Sequence, residues 1–272
     1  MLRLGDTLDE AAKELEEELP TGKARAISAV FADSLDGRSE AALDVLRLAA
    51  VLADAPCPGE FVAAVLERCG YGGATVERAV GELAAHALVT LDLEVPGIHV
   101  HSLVRRVAAR WRCDQARLDA LAAQAQEILN QRFRAIDPLD LRQHSSLLPL
   151  LPHAHELADA STILAARLGV NLGNFIMARG GLTIARARFE AACLTFEREE
   201  GTDSHHYLGT LTNLAGCIQE QGDPVGACAI YESVFAKRLE NFGSEDRSTL
   251  GAQQNLARIS HHGREFRPHV LG

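Results

Sequence analysis

Apolar positions in this chain fall mostly at helical spacing. Leu8, Ala11, Ala12, Leu15 and Leu19 form one stripe over residues 6–19 with an acidic face opposite, and Pro20-Thr21-Gly22 ends it. A second helix is expected over about 24–34. Over 39–53, Ser39 offers an N-cap, and Ala42, Leu43, Leu46, Ala49, Ala50 and Ala53 recur at the helical period. A helix over 59–67 follows the break at Pro56 and Pro58, and another spans 75–86. The period then shortens: 88–93 and 98–101 read as two strands of a hairpin turned at Val95-Pro96-Gly97, and 103–111 returns to helix.

Further on, 115–134 reads as one long helix, and Asp137-Pro138 predicts another by placing a capping carboxylate before a proline at the first helical position. Residues 147–157 are apolar, with breaks at Pro149 and Pro152. From there one signature recurs. Asn171-Leu172-Gly173, Asn213-Leu214-Ala215 and Asn255-Leu256-Ala257 are spaced by 42 residues, and Gly180 aligns with Gly222, Ala185 with Ala227, and Phe189-Glu190 with Tyr231-Glu232. A period of this length predicts stacked helical hairpins. Helix A of the first spans about 161–178 and helix B 182–199; those of the second span 204–220 and 224–240, and a third A helix runs from 246 to about 263. Each repeat covers its apolar face only against a neighbour, so residues 113–160 are expected to pack on the first repeat. Gln253, Gln254, Arg258 and His261 are expected to make the last helix a polar cap. The fold class is therefore mainly α: an N-terminal helix (1–22), a winged-helix-like domain with one β-hairpin (23–112), a helical connector (113–160) and a short right-handed α-solenoid (161–272).

Composition narrows the function. With 272 residues, 47% hydrophobic and 24% charged, the chain is expected to be a globular cytoplasmic protein; no apolar run approaches a membrane span, and the start carries no signal-peptide core. A net charge of −10 argues against broad binding to nucleic acid or anionic membrane. The six cysteines are scattered without a Cys-x-x-Cys pair and are expected as free thiols, with Cys217 and Cys228 facing each other across one hairpin. The only Gly-Lys, Gly22-Lys23, has Glu17 where a P-loop needs its first glycine and Ala24 where it needs a hydroxyl. No Gly-x-Ser-x-Gly or His-Glu-x-x-His run supports catalysis. His153-x-His155, His205-His206 and His261-His262 lack cysteine partners at zinc-finger spacing and read as loop histidines. No cofactor is expected.

Val100-His101-Ser102-Leu103-Val104-Arg105-Arg106-Val107-Ala108 resembles the Met-His-Asp-Leu-Val motif in the winged-helix domain of STAND NTPases, the class of plant disease-resistance proteins and actinobacterial NB-ARC/TPR regulators. Ser102 stands where the family often has aspartate. The resemblance implies that His101 corresponds to the histidine that contacts the β-phosphate of ADP in the closed state. With no P-loop, the chain looks like the post-nucleotide half of such a regulator. The repeats, with Asn-Leu-Ala on helix A, Gln221-Gly222-Asp223 at the turn and Tyr-Glu on helix B, resemble the kinesin-light-chain variety of tetratricopeptide repeat.

Two sets of candidate residues follow. His101, Arg105 and Arg106 are candidates for a vestigial phosphate or interdomain contact, within a basic cluster that includes Arg110, Arg112 and Arg117; Arg106, Arg110 and Arg117 are expected to share one helical side. The competing reading is a histidine that caps the following helix and arginines that pair with the acidic surplus. In the repeats, Asn171, Asn213 and Asn255 are candidates to hold the backbone of an extended peptide, as the resemblance implies, because a carboxamide both donates and accepts. Gln219, Gln254 and Arg258, with Gln253, Arg247 and Lys237, would add polar contacts; the alternative is helix-to-helix bonding within the array. The expected function is a non-enzymatic protein-interaction and regulatory module binding a peptide or protein partner. The alternatives are a DNA-binding regulator acting through the winged helix, or the partner or fragment of a separate nucleotide-binding NTPase. The 75–86 helix, with Glu77 and Glu82 beside Arg78, is poorly suited to a major groove.

Overall fold

Ser39 begins the first described helix by accepting the Ala42 N–H on its hydroxyl at 3.2 Å while that hydroxyl donates to Glu82 at 2.7 Å. The computed structural model describes residues 34–92, 97–111, 113–137, 140–159 and 162–265. The expected helix at 6–19 and nearly all of that at 24–34 lie outside them. The chain divides into two compact units: residues up to 132 together with 145–157, and 133–144 together with 158 onward.

In the first unit, α1 (Glu40–Val51) is its central helix. Every residue from Ala41 to Leu48 is buried, so the apolar stripe anticipated at Ala42, Leu43 and Leu46 is joined by Val45 and Leu48. A strand of two residues, β1 (Cys57–Pro58), leads into α2 (Gly59–Arg68) and α3 (Gly73–Ala85). β2 (Thr90–Asp92) and β3 (Gly97–His99) form the expected hairpin, and β1 joins its open edge to give an antiparallel sheet ordered β1-β3-β2, with Leu91 and Cys57 both opposite Ile98. Of the expected turn at 95–97 only Gly97 is described, and it opens β3. α4 (Ser102–Arg110) packs its Val104, Val107 and Ala108 inward against α1.

α5 (Gln115–Ala135) is the long helix read from the sequence, begun where Asp114 accepts the Arg117 N–H at 2.9 Å. The α-helix expected from Asp137-Pro138 is not formed. Instead the chain makes 3-10 turns at Leu141–Ser146 and Leu148–Leu150 before α6 (Leu151–Leu157). Asp140 caps this stretch, taking the Arg142 N–H at 3.1 Å, and Pro149 and Pro152 withdraw two donors that a longer helix would need.

The second unit is built from α7 (Ile163–Ala178), α8 (Leu182–Glu200), α9 (His205–Glu220), α10 (Pro224–Phe242) and α11 (Arg247–Glu265). Each helix packs on the next, and α7 also touches α9. Thr162, Ser204 and Asp223 cap α7, α9 and α10 through their side-chain oxygens. The 42-residue repeat is visible in the backbone: Gly180 and Gly222 turn between A and B helices at φ +82° and +91°, and Gly201 and Gly243 end the B helices at +85° and +82°. Phe189 and Tyr231, at equivalent positions of α8 and α10, are 0% and 2% exposed and fill one continuous core with Ala185, Ala215 and Ala227. The connector seals the outer side of α7 in part: the Phe133 ring meets Phe175 edge-on at 5.4 Å, and the His144 ring lies 4.5 Å from the same phenyl.

Candidate binding groove

α7 and α9 each present a polar face into one cavity of about 450 Å³. Arg167, Asn171 and Asn174 come from α7, and His206, Thr210 and Asn213 from α9; both sets follow i, i+4, i+7 and so share one side of their helix. The end of α5 adds Arg134, which also borders an adjoining space of about 190 Å³ with Phe133 and Phe175. Asn171 and Asn213, read from the repeat, are thus brought together. Asn255, at the equivalent place on α11, does not border this cavity. Gln254 and Arg258 are exposed on α11, and Arg258 also interacts with Tyr231. Gln219 points its Oε1 into buried surroundings, where it has no hydrogen-bond partner among the described residues. Lys237 takes no part in the cavity: its Nζ bonds Thr202 Oγ1 at 2.9 Å and Asp203 at 2.9 Å, tying the α8–α9 loop to α10.

The sequence alone does not single out Arg134, Arg167, Asn174 and Thr210, and it reads His205-His206 as loop histidines. His205 and His206 are not loop residues but the first turn of α9, where their rings are fixed by stacking, His205 on Phe242 at 4.0 Å and His206 on Phe196 at 5.1 Å. His206 Nδ1 also lies 2.9 Å from Glu200. The signal for these residues was the i, i+4, i+7 spacing around each asparagine. Nothing local pointed to Arg134, which reaches the cavity from another segment.

In the first unit His101 is the N-cap of α4, its Nδ1 accepting the Leu103 N–H at 3.3 Å, which is the capping role weighed against the phosphate contact. Arg105 lies across the end of α1: Nε donates to the Ala49 carbonyl at 2.7 Å, Nη2 to that of Leu52, and Nη1 meets Asp54 at 3.1 Å. Those carbonyls belong to the last turn and to the residue after the helix, where cations are favoured. Arg106 and Arg110 border a cleft of about 460 Å³ with Ser102 and Gln115. Arg117 does not share their helical side. It stands on α5 and is bonded to the buried Asp44.

His153 is not a loop histidine either. It lies in α6, fully buried, with Nε2 3.2 Å from the Pro56 carbonyl; burial, with a smaller contribution from Arg105, pulls its pKa below the ordinary imidazole value. All six cysteines are free, and Cys217 and Cys228 do not pair: Cys217 donates to the Leu182 carbonyl at 3.2 Å and Cys228 faces Glu232. Among the described residues no three His, Cys, Asp or Glu side chains converge as a metal site, and no helix is long and apolar enough to cross a membrane. No family model matches the chain, and neither a curated protein nor a solved structure resembles it significantly.

Proposed function

We propose that this protein is a non-enzymatic interaction module whose second unit holds an extended polypeptide against α7 and α9. The observation that carries this reading is the meeting of Asn171 and Asn213, one repeat apart, on the wall of a single open cavity. Carboxamides on the A helices of successive repeats can donate to and accept from a peptide backbone without demanding a particular side chain. The tetratricopeptide resemblance is supported by hairpins that keep the 42-residue period in their turns, and the winged-helix resemblance by the order α1-β1-α2-α3-β2-β3-α4 of the first unit. DNA reading through α3 is not favoured, because Arg78 bonds back to Ala74 and Thr75 of its own helix and Glu82 is occupied by Ser39.

The test is selection of peptides from a random display library on the full chain, followed by titration calorimetry of the best binders against wild type and Asn171→Ala/Asn213→Ala. Binders that lose about tenfold or more in affinity to the double variant support the reading, since each backbone hydrogen bond contributes roughly 0.5–1.5 kcal/mol. Binders indifferent to both asparagines would remove it.

A further inference from the structure

The cavity between α7 and α9 has a basic lining. Two guanidinium groups, Arg134 and Arg167, border it, and no aspartate or glutamate does. Elsewhere in the same unit several cations are ion-paired, Arg186 with Glu190, Arg188 with Asp159 and Lys237 with Asp203, while Arg238 donates to the Ser248 carbonyl and Arg179 lies over the Phe175 ring. Arg134 and Arg167 have neither an ion pair nor a side-chain hydrogen bond among the described residues. Without such a partner, the two guanidiniums that line this cavity keep donor-only groups available to a ligand.

We propose that Arg134 and Arg167 form a subsite for a phosphate monoester borne by the polypeptide that lies in the groove; this rests on the peptide-binding reading. Four features of the cavity fit that group. A phosphorylated side chain carries about −1.5 to −2 charges on one compact centre, which the two guanidiniums balance, whereas a single carboxylate would leave one of them uncompensated. Its three terminal oxygens match an excess of donors, since the Asn174 and Asn213 carboxamides line the same cavity as the two guanidiniums. The first turn of the 16-residue α9 also reaches the cavity at His205 and His206, and the positive end of its dipole favours an anion there. Phe196 and Val170 give the ester's carbon chain an apolar wall.

The experiment is titration calorimetry of the full chain with inorganic phosphate, phenyl phosphate and O-phosphoserine, and with succinate as a dicarboxylate of equal charge. The variants are Arg134→Gln, Arg167→Gln and Arg167→Lys, with Arg186→Gln as the control, since Arg186 is already paired with Glu190. The three phosphates are expected to bind with one-to-one stoichiometry. Each glutamine variant should weaken phenyl phosphate by about tenfold or more, as loss of a charge-assisted hydrogen bond does, with Arg167→Lys recovering part of it and Arg186→Gln matching wild type. Melting curves show which variants are folded, and Arg134, exposed on its helix, gives a variant that does not disturb the core. Absence of phosphate binding at millimolar concentration, equal binding by the glutamine variants, or tighter binding of succinate would each overturn the phosphate assignment. If phosphate binding fails while display-selected peptides still depend on Asn171 and Asn213, the subsite falls and the groove stands.

Discussion

Arg117 and Asp44, 73 positions apart, meet in the first unit, with the Arg117 Nε 3.1 Å from the Asp44 Oδ2 and its Nη2 on the same oxygen. Asp44 is 0% exposed in the middle of α1 and also accepts from Tyr71 Oη at 2.8 Å and Arg47 Nη1 at 2.9 Å; Arg47 in turn donates to the Trp111 carbonyl at 3.2 Å. One carboxylate therefore ties together α1, the α2–α3 connection and the start of α5.

Removing Asp44 takes the carboxylate from Arg117, while Arg47 keeps Glu40 at 3.0 Å and the Trp111 carbonyl. Asp44→Ala is expected to destabilise the chain by about 3–5 kcal/mol, the usual cost of breaking a buried ion pair from one side, read as a lower urea midpoint. Burial alone would raise the Asp44 pKa, but the hydrogen bonds from Arg117, Tyr71 and Arg47 outweigh it and hold the carboxyl below its ordinary range. A depressed carboxylate contributes stability that is present above its unfolded pKa of about 3.9 and is lost as pH falls through the folded value. Wild type should therefore lose this contribution only below about pH 4, and the pH–stability curve of Asp44→Ala should be flatter there.

A second prediction concerns how helices end. α2, α7 and α9 close on a left-handed glycine, Gly70, Gly180 or Gly222, with the next N–H returning to the carbonyl five residues back: Tyr71 to Leu66 at 3.1 Å, Gly181 to Ile176 at 3.0 Å, Asp223 to Ile218 at 3.1 Å. α3 ends with the same bond, Leu88 to Leu83 at 3.0 Å, but the left-handed residue is Ala87 at φ +55°. Ala87→Gly should relieve that backbone and raise stability by up to about 1 kcal/mol, while Gly222→Ala, where an added Cβ meets nothing, should cost about 1 kcal/mol. Chemical denaturation of both variants checks the opposite signs.

These two cases show what was legible. Helix ends are written locally, in Ser39, Gly180, Gly222 and Asp223-Pro224, so the repeat hairpins and α1 could be read from spacing alone. β1 could not, because two residues carry no alternation and Cys57 pairs with Ile98 only once the hairpin exists. Asp44 and Arg47 look like the wet face of an amphipathic helix until α5 supplies Arg117. Part of the cavity was visible through Asn171 and Asn213, and Arg167 lies one turn before Asn171 on the same helix; Arg134 was not visible, since it enters from outside the repeat.

Histidine 153 gives a third prediction. Its buried ring is held neutral with Nε2 against the Pro56 carbonyl, and Nδ1 has no partner among the described residues. A base with a depressed pKa contributes stability that is complete above its unfolded value, about 6.5, and declines as pH falls toward the folded one. Melting temperature should therefore drop between neutral pH and about pH 5, and His153→Phe should reduce the slope over that window even if it lowers the neutral-pH value. An unchanged slope would show that the ring does not control acid stability.

Thiol reactivity should separate the cysteines. Burial pushes the Cys57 and Cys193 thiols up to about 12, whereas Cys69, Cys113 and Cys228 are half-buried. The thiolate is the nucleophile, so a disulfide reagent at mildly alkaline pH should modify the half-buried group first and leave Cys57 and Cys193 for the denatured chain. Mass spectrometry of peptides from native and urea-treated protein reads the order directly. Early labelling of Cys57 would mean that the β1 edge opens far more readily than its packing implies.

The last prediction tests how the two repeats differ inside. Gly173 of α7 occupies the place of Ala215 in α9, and a Cβ there would lie 2.6 Å from the Phe189 ring, which is fully buried. Tyr231 takes the place of Phe189 in the next repeat, where Ala215 stands at the position of Gly173 in the same core. Gly173→Ala gains about 1 kcal/mol of helix propensity but overpacks the core at a cost of roughly 1–3 kcal/mol, and should be destabilising overall. Trimming the ring should change the sign: in a Phe189→Leu background, which by itself leaves a cavity, Gly173→Ala should recover stability. A double-mutant cycle on urea midpoints measures the coupling, and additive effects would show that the glycine is not there to admit the ring.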